Sequence, residues 1–414
     1  MEISFIQPSR NNLKYLKWSY NSIRKNQGDH IVEICVADDS STDGTWEWCK
    51  AMMDKDPHFK AILNDTGIRL GHTILYDRLV NEVATKEVAM IYHADMYLCP
   101  GALDAIENHM YPLAADGFSV GQIPNKKTIV SLTRIEPPLH PDGPEKILRN
   151  YGVEPEEFEE ESLLNDLPKL IEKNKTTEGI FAPWAFFRKD FQEIGGHDPL
   201  YAPQSKEDSD IFNRFLLNGV KFIQTWEGCV YHMTCRGSRF ADGAKRNPNG
   251  EVFMKNRETD EWLKQNQKST REFLRKWGHY CKHDALMKPI IPPKYDIGFI
   301  LSHNNIDLLR ALEPWCSNIY CDSSLRQHYI TTEQPNTSFN LSERVLPYHN
   351  EKNNEILVTI NERFNQQDFQ YIQQLSEILA DSGEPGFYGE LGNLMVEIFD
   401  KMNTYEKELI ICKR

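Results

Sequence analysis

No stretch of the 414 residues approaches the run of about 18 apolar residues that a membrane-spanning helix needs. The opening Met1-Glu2-Ile3-Ser4-Phe5-Ile6-Gln7-Pro8 is too short an apolar run for a signal peptide and lacks its charged flank. No two of the nine cysteines form a Cys-x-x-Cys pair, which removes the common zinc and thiol-redox signatures. Cys35 and Cys229 sit inside apolar, strand-like runs, where a free thiol behaves as a small hydrophobe. These absences lead to the expectation of a reduced, soluble, cytoplasmic protein.

Positive charge is also in deficit. The chain has 47 Lys and Arg against 61 Asp and Glu, a formal net charge of −14. A general affinity for nucleic acid is disfavoured, because binding phosphate backbones calls for a basic face. The phosphate motifs are missing as well: no Gly-x-Gly-x-x-Gly follows the first strand, and no Gly-x-x-x-x-Gly-Lys-[Ser/Thr] occurs. Without a Gly-x-Ser-x-Gly elbow, a serine hydrolase is unsupported. Hydrophobic residues at 40% are too many for a disordered chain and enough for a sizeable core.

What the sequence does have is alternation. Ile3–Ile6 reads as a buried strand ended by Pro8, and Leu13, Leu16, Tyr20 and Ile23 follow at helical spacing. Val32–Ala37, Ala61–Leu63 and Val88–Tyr92 are further strands with helical runs between them. This rhythm implies βαβ units, a Rossmann-like, mostly parallel α/β sheet flanked by helices, with ligands bound beyond the carboxyl ends of its strands. Asp38-Asp39 and Asp95 fall at two such ends. From 137 to 177 the rhythm breaks into a proline-rich and acidic insertion. Phe222–Thr225 and Cys229–His232 are the next strand candidates, and Pro289-Ile290-Ile291-Pro292-Pro293 reads as a linker. Ile297–Leu301, Ile319–Cys321, Ile356–Ile360 and Leu409–Cys412 then suggest a second, smaller α/β domain. The expected boundaries are 1–240 for the main domain, 241–294 for a helical extension and linker, and 295–414 for the small domain.

Carboxylates at strand ends plus a histidine suit a metal-held diphosphate. Asp95, Glu207, Asp208 and Asp210 would repel a nucleotide diphosphate in a partly desolvated cleft unless a divalent cation stood between them. Mg²⁺ or Mn²⁺ fits this demand, and Mn²⁺ tolerates an imidazole. Asp95 and His232 offer one oxygen and one nitrogen. A further carboxylate can take a proton from an incoming hydroxyl.

The motifs that carry these residues resemble those of glycosyltransferase family two, which has the GT-A fold. Ile3–Asn11 is similar to the family's opening strand and Pro-x-x-Asn turn. Asp38-Asp39-Ser40-Ser41-Thr42-Asp43-Gly44-Thr45 is close to its Asp-Asp-x-Ser-x-Asp-x-Thr element. Tyr92-His93-Ala94-Asp95 falls where an Asp-x-Asp belongs, Phe187–Asp210 matches the acceptor-side block, and Tyr231-His232 closes the series. The resemblance covers roughly residues 1–240.

It implies a metal-dependent, inverting transfer of sugar from a UDP-sugar to a hydroxyl of a glycan, a protein or another acceptor, a modified base in DNA being disfavoured by the net acidity. Position by position, it implies Pro8 and Ser9 along the nucleotide, Asp39 accepting from the base and Asp38 supporting that turn. It implies Asp95 and His232 on the cation, Asp208 as general base, Glu207 on the acceptor hydroxyl and Trp184 facing a sugar ring. His93 replaces the first Asp of Asp-x-Asp, so it stands as a contact to ribose, phosphate or metal. Apart from the resemblance, Arg236, Arg239, Lys245 and Arg246 follow His232 closely and are expected to form a basic lid over the diphosphate, a plain surface loop being the alternative. Two other readings stay open: a glycosyltransferase-like protein that binds nucleotide or glycan with little turnover, and a metal-dependent nucleotidyltransferase.

Overall fold

The computed structural model describes residues 1–112, 124–234, 260–348 and 354–412. They divide into two compact units, the first made of Met1–Leu263, His283–Pro289 and residue 412, the second of Lys264–Lys282 and Ile290–Ile411. The segment expected as a basic lid lies outside the described residues.

The first unit is built on ten strands: β1 (Glu2–Ser9), β2 (Ile31–Asp38), β3 (Phe59–Leu63), β4 (Val88–Ile91), β5 (Met96–Leu98), β6 (Thr128–Glu136), β7 (Lys146–Leu148), β8 (Thr176–Thr177), β9 (Trp184–Phe187) and β10 (Lys221–His232). Their order is β3-β2-β1-β4-β9-β6-β10-β5, with β7 on β6 and β8 on β10. The β1, β2, β3 and β4 pairings are parallel, as is β6 with β10, whereas β9 and β5 run antiparallel to their neighbours. Helices α1 (Leu13–Asn26), α2 (Thr45–Lys55), α3 (Gly71–Arg78), α4 (Ala102–Met110), α5 (Glu160–Leu170), α6 (Arg188–Glu193) and α7 (Glu207–Leu217) connect them. From Ile3 onward every side chain of β1 is buried, as expected for a parallel strand covered on both faces. This is the α/β, mostly parallel architecture that the alternation implied.

Two local expectations need correction. Pro8 does not end β1. Ile6 and Pro8 point their backbone groups to the same side, and pairing with β4 stops at Ile6 and Ile91. The missing proline N–H therefore leaves no ladder bond unmade, and β1 continues beside β2 to Ser9 and Asp38. Phe222–Thr225 and Cys229–His232 are one strand, β10, whose register against β6 shifts between Thr225 and Cys229.

The second unit carries a six-stranded sheet of β11 (Ile297–Leu301), β12 (Asn318–Cys321), β13 (Val345–Pro347), β14 (Ile356–Ile360), β15 (Tyr388–Leu391) and β16 (Leu394–Ile398), in the order β13-β12-β11-β14-β16-β15. The region read as extension and linker divides between the units, because helix Asp260–Trp277 places Leu274 in the second core. Arg275 of that helix meets Glu272, Glu313 and Glu333 at 2.7, 2.8 and 2.9 Å, and Arg344 on Glu313 and Arg271 on Glu333 complete a cluster of three arginines and three glutamates. Leu409–Cys412 is not a strand: a 3₁₀ turn spans Glu406–Leu409, and Cys412 belongs to the first unit.

Candidate active site

Three neighbouring strands of the first sheet end at one place. His232 closes β10 and is paired antiparallel with Met96, the residue after Asp95. On the other side of β10, Tyr231 is paired in parallel with Ile135, so Glu136 closes β6 beside His232. The chain from β4 into β5 adds His93. One ligand atom from each of His93, Asp95 and His232 lies within 4.8 Å of the others. His232 Nε2 is 3.5 Å from Asp95 Oδ1, and its Nδ1 is 2.8 Å from Glu136 Oε1.

His93, Asp95 and His232 line a cavity of about 240 Å³ with Pro8, His72, Tyr76, His140, Phe181 and Thr234. Burial pushes His72 down to about 3 and His93 down to about 4, so both imidazoles are neutral at physiological pH. His232 goes the other way. Burial opposes its charge, but Asp95 and Glu136 outweigh burial and hold it at about 9. Glu136 is itself buried, yet His232, Arg134 and Lys146 bring it down to about 2. Arg134 also lies over the Phe181 ring at 4.0 Å.

Glu207 and Asp208 start α7, and both are pushed upward by burial, Glu207 further by its neighbour Asp208. Glu207 is buried and its chain neighbour Asp208 half-buried, and such a pair does not readily ionise twice near neutral pH. The loop before them is strained, with Ser205 and Lys206 at φ of 82° and 75°. Tyr76 relates the two groups: burial and the fields of Asp208, Glu207 and Asp95 together push its phenol well above the usual value. Asp210, one turn along, is spent on Arg214 at 2.7 Å, with both side chains fully buried.

The acidic turn after β2 is tied into the protein through its own carboxylates. Asp38 is fully buried and accepts the Ser41 N–H at 3.0 Å, which holds the turn. The Asp39 carboxylate, expected to accept from a base, accepts from three protein donors: Asn64 Nδ2 at 2.6 Å, Leu70 N–H at 3.0 Å and Gly71 N–H at 2.9 Å. It thereby clamps the start of α3, which carries His72 and Tyr76. Gly71 has φ +74°, and a Cβ there would lie 2.0 Å from the Pro203 carbonyl oxygen. That contact sets the α3 entrance against the loop leading to Glu207.

Trp184 is corrected outright. It is fully buried and packs edge-on against Phe212 and Phe215 of α7, so it offers no face to the cavity. Strand alternation points it toward the helix layer, and Phe181 lines the cavity instead. Ser9 is buried at the end of β1 beside Pro8, which does line the cavity.

Sequence reasoning missed Glu136, His72, Tyr76, His140 and Phe181. A second group, His30 with Asp104 and Glu107, also has ligand atoms within 4.8 Å, but His30 precedes β2 and so lies at the opposite ends of the strands.

Residues 4–195 match the sequence profile of the family described as glycosyl transferase family 2. Comparison with curated protein sequences gives no match. Among solved structures, GalNAc-T7 with UDP, GalNAc and Mn²⁺ aligns at 13% identity over 67% of this chain and 48% of that one, with a TM-score of 0.45. This chain thus spans about half the length of GalNAc-T7. The mannosyltransferase PcManGT from Pyrobaculum calidifontis, in complex with GDP-Man and Mn²⁺, aligns at 15% identity over 66% and 62% of the two chains, with a TM-score of 0.39. S. aureus TarS aligns at 15% over 56% and 36%, also at 0.39. Among the described residues no helix is long and apolar enough to cross a membrane.

Proposed function

We propose that this chain, whose residues 4–195 match the profile of glycosyl transferase family 2, moves a sugar from a UDP-sugar to an acceptor hydroxyl by single displacement with inversion. The carrying observation is one cavity lined by His93, Asp95 and His232, with Tyr76 of α3 in its wall.

Two imidazole nitrogens and a carboxylate oxygen within 4.8 Å of one another fit Mn²⁺, and fit Mg²⁺ less well. In this reading Asp95 and His232 hold the cation and His93 completes the donor set. When bound, the ion screens the diphosphate from Asp95 and polarises the leaving group as a Lewis acid.

The chain's own residues supply the rest. Pro8 and Ser9 border the nucleotide, Asp38 keeps the turn after β2, and Asp39 acts through the α3 entrance. Asp208, the less enclosed acid, takes the proton of the acceptor hydroxyl as that oxygen bonds to the anomeric carbon. The bond from that carbon to the diphosphate breaks, and the diphosphate leaves with the electron pair. Glu207, deeper and protonated, keeps Asp208 the ionised partner and contacts the acceptor hydroxyl. One base opposite one leaving group gives inversion.

A thermal-shift series of UDP, GDP, ADP and CDP, each with and without Mn²⁺, followed by product analysis, tests this reading. It expects UDP to stabilise the chain only with Mn²⁺, and donor turnover to release UDP. Release of pyrophosphate would assign nucleotidyl transfer instead. Nucleotide binding without turnover across donors and acceptors would assign a binding role.

A further inference from the structure

The strand register that pairs His232 with Met96 on one side also sets Glu136 beside it on the other, so the imidazole is held between two carboxylates. The Glu136 side is the more constrained. Its Oε1 takes Arg134 Nη1 at 3.0 Å as well as His232 Nδ1 at 2.8 Å, and its Oε2 lies 3.3 Å from Lys146 Nζ. Glu136 is 1% exposed. A carboxylate flanked by an arginine and a lysine is a pure acceptor, so the imidazole nitrogen facing it carries the hydrogen. A neutral ring then has its lone pair on Nε2, the nitrogen turned toward Asp95.

We propose that Glu136 is a positioning residue for the cation site: it fixes His232 as the Nδ1–H tautomer and so presents Nε2 as the ligand atom. This rests on the cation reading given above. A ligating histidine whose other nitrogen donates to a carboxylate is fixed in both orientation and tautomer. Arg134 and Lys146 serve that arrangement by keeping Glu136 charged in a buried place. Their own charges have a further partner in Glu145, at 3.6 and 3.8 Å, so an ion cluster alone would not need His232.

Two measurements on the full-length chain test it. Long-range ¹H–¹⁵N correlation on histidine-labelled, Zn²⁺-loaded protein, with His232→Gln for assignment, should show His232 protonated at Nδ1 and metal-bound at Nε2. The reverse tautomer overturns the proposal, and this readout needs no variant at position 136. Free Mn²⁺ followed by electron paramagnetic resonance should show Glu136→Gln binding about 10- to 100-fold more weakly than the parent, with the Glu136→Asp variant recovering part of the loss. Parent affinity in Glu136→Gln, alongside weakened binding in His232→Gln, overturns this inference and leaves the cation reading standing. A parent that binds neither metal removes both.

Discussion

The Asp39 carboxylate accepts the Gly71 N–H at 2.9 Å, tying the end of β2 to the first residue of α3. Asp39 sits in the acidic turn that resembles a nucleotide-binding element, yet its oxygens serve the backbone. The site is therefore assembled in part by an acid that does not line the cavity, because α3 brings His72 and Tyr76 to it.

Asp39→Ala strands the buried Gly71 N–H and the half-buried Leu70 N–H, and leaves the Asn64 amide with only the Ile68 carbonyl. At about 1–3 kcal/mol for each buried donor left unsatisfied, urea unfolding should show a loss of roughly 2–5 kcal/mol. Were Asp39 a base contact alone, stability would stay at the parent value and only nucleotide affinity would fall.

Gly71→Ala meets both a left-handed backbone and the Pro203 carbonyl. The variant should melt several degrees below the parent, and donor turnover should fall at temperatures where it remains folded. A parental melting temperature and rate would show that the two loops are not tightly seated.

Asp95→Ala removes the only carboxylate of the His93, Asp95 and His232 group. Isothermal titration should find Mn²⁺-dependent UDP binding lost, whereas Asp208→Asn should keep it and lose transfer by about 10²–10⁴-fold, the usual worth of a general base. Transfer by Asp208→Asn at the parent rate would remove Asp208 from its proposed role.

Burial raises the Glu207–Asp208 pair above ordinary carboxyl values. In the pH range between the unfolded and folded values the native state then binds more protons than the unfolded chain. Their contribution is fully present below the ordinary carboxylate range near 4 and declines as pH rises into the neutral and mildly alkaline range. Glu207→Gln should flatten that decline, so that the variant gains on the parent between pH 6 and about 8. Parallel stability curves across that range would contradict the buried-pair assignment.

Asp210→Asn breaks a fully buried ion pair with Arg214, whose guanidinium also donates to the Ile194 and Gly196 carbonyls. Losing one partner of such a pair typically costs about 3–5 kcal/mol. The change should appear in chemical denaturation, with Mn²⁺ affinity of the folded protein unchanged.

Some of this was legible in the sequence and some was not, for physical reasons. Strand ends announce themselves through apolar runs followed by Asp38-Asp39 or His93-Ala94-Asp95, so the sheet and its acidic rim follow from period and turn chemistry. Glu136 gives no such signal. It precedes Pro137-Pro138, where the rhythm breaks down, and its meaning comes from lying beside His232, 96 positions away. His72 and Tyr76 read as ordinary residues of an amphipathic run, since a four-residue spacing on a helix marks core as often as cavity. Trp184 has the residue type of a sugar platform, while a four-residue strand under α7 fixes its direction away from the cavity. The β15–β16 hairpin had a readable cue in Gly392-Asn393 between two short alternating runs.

Cys412 donates its backbone N–H to Ile194 at 3.0 Å, and Gly195 leaves room for its carbonyl. The polypeptide therefore leaves the first unit after 263, revisits it for His283–Pro289, and comes home at its last described residue. A single nick by a protease cannot release either body intact. Isolating the first unit means removing both Lys264–Lys282 and Ile290–Ile411 while keeping the tail, because truncation after the sheet discards a stitch that the Gly195 turn accommodates.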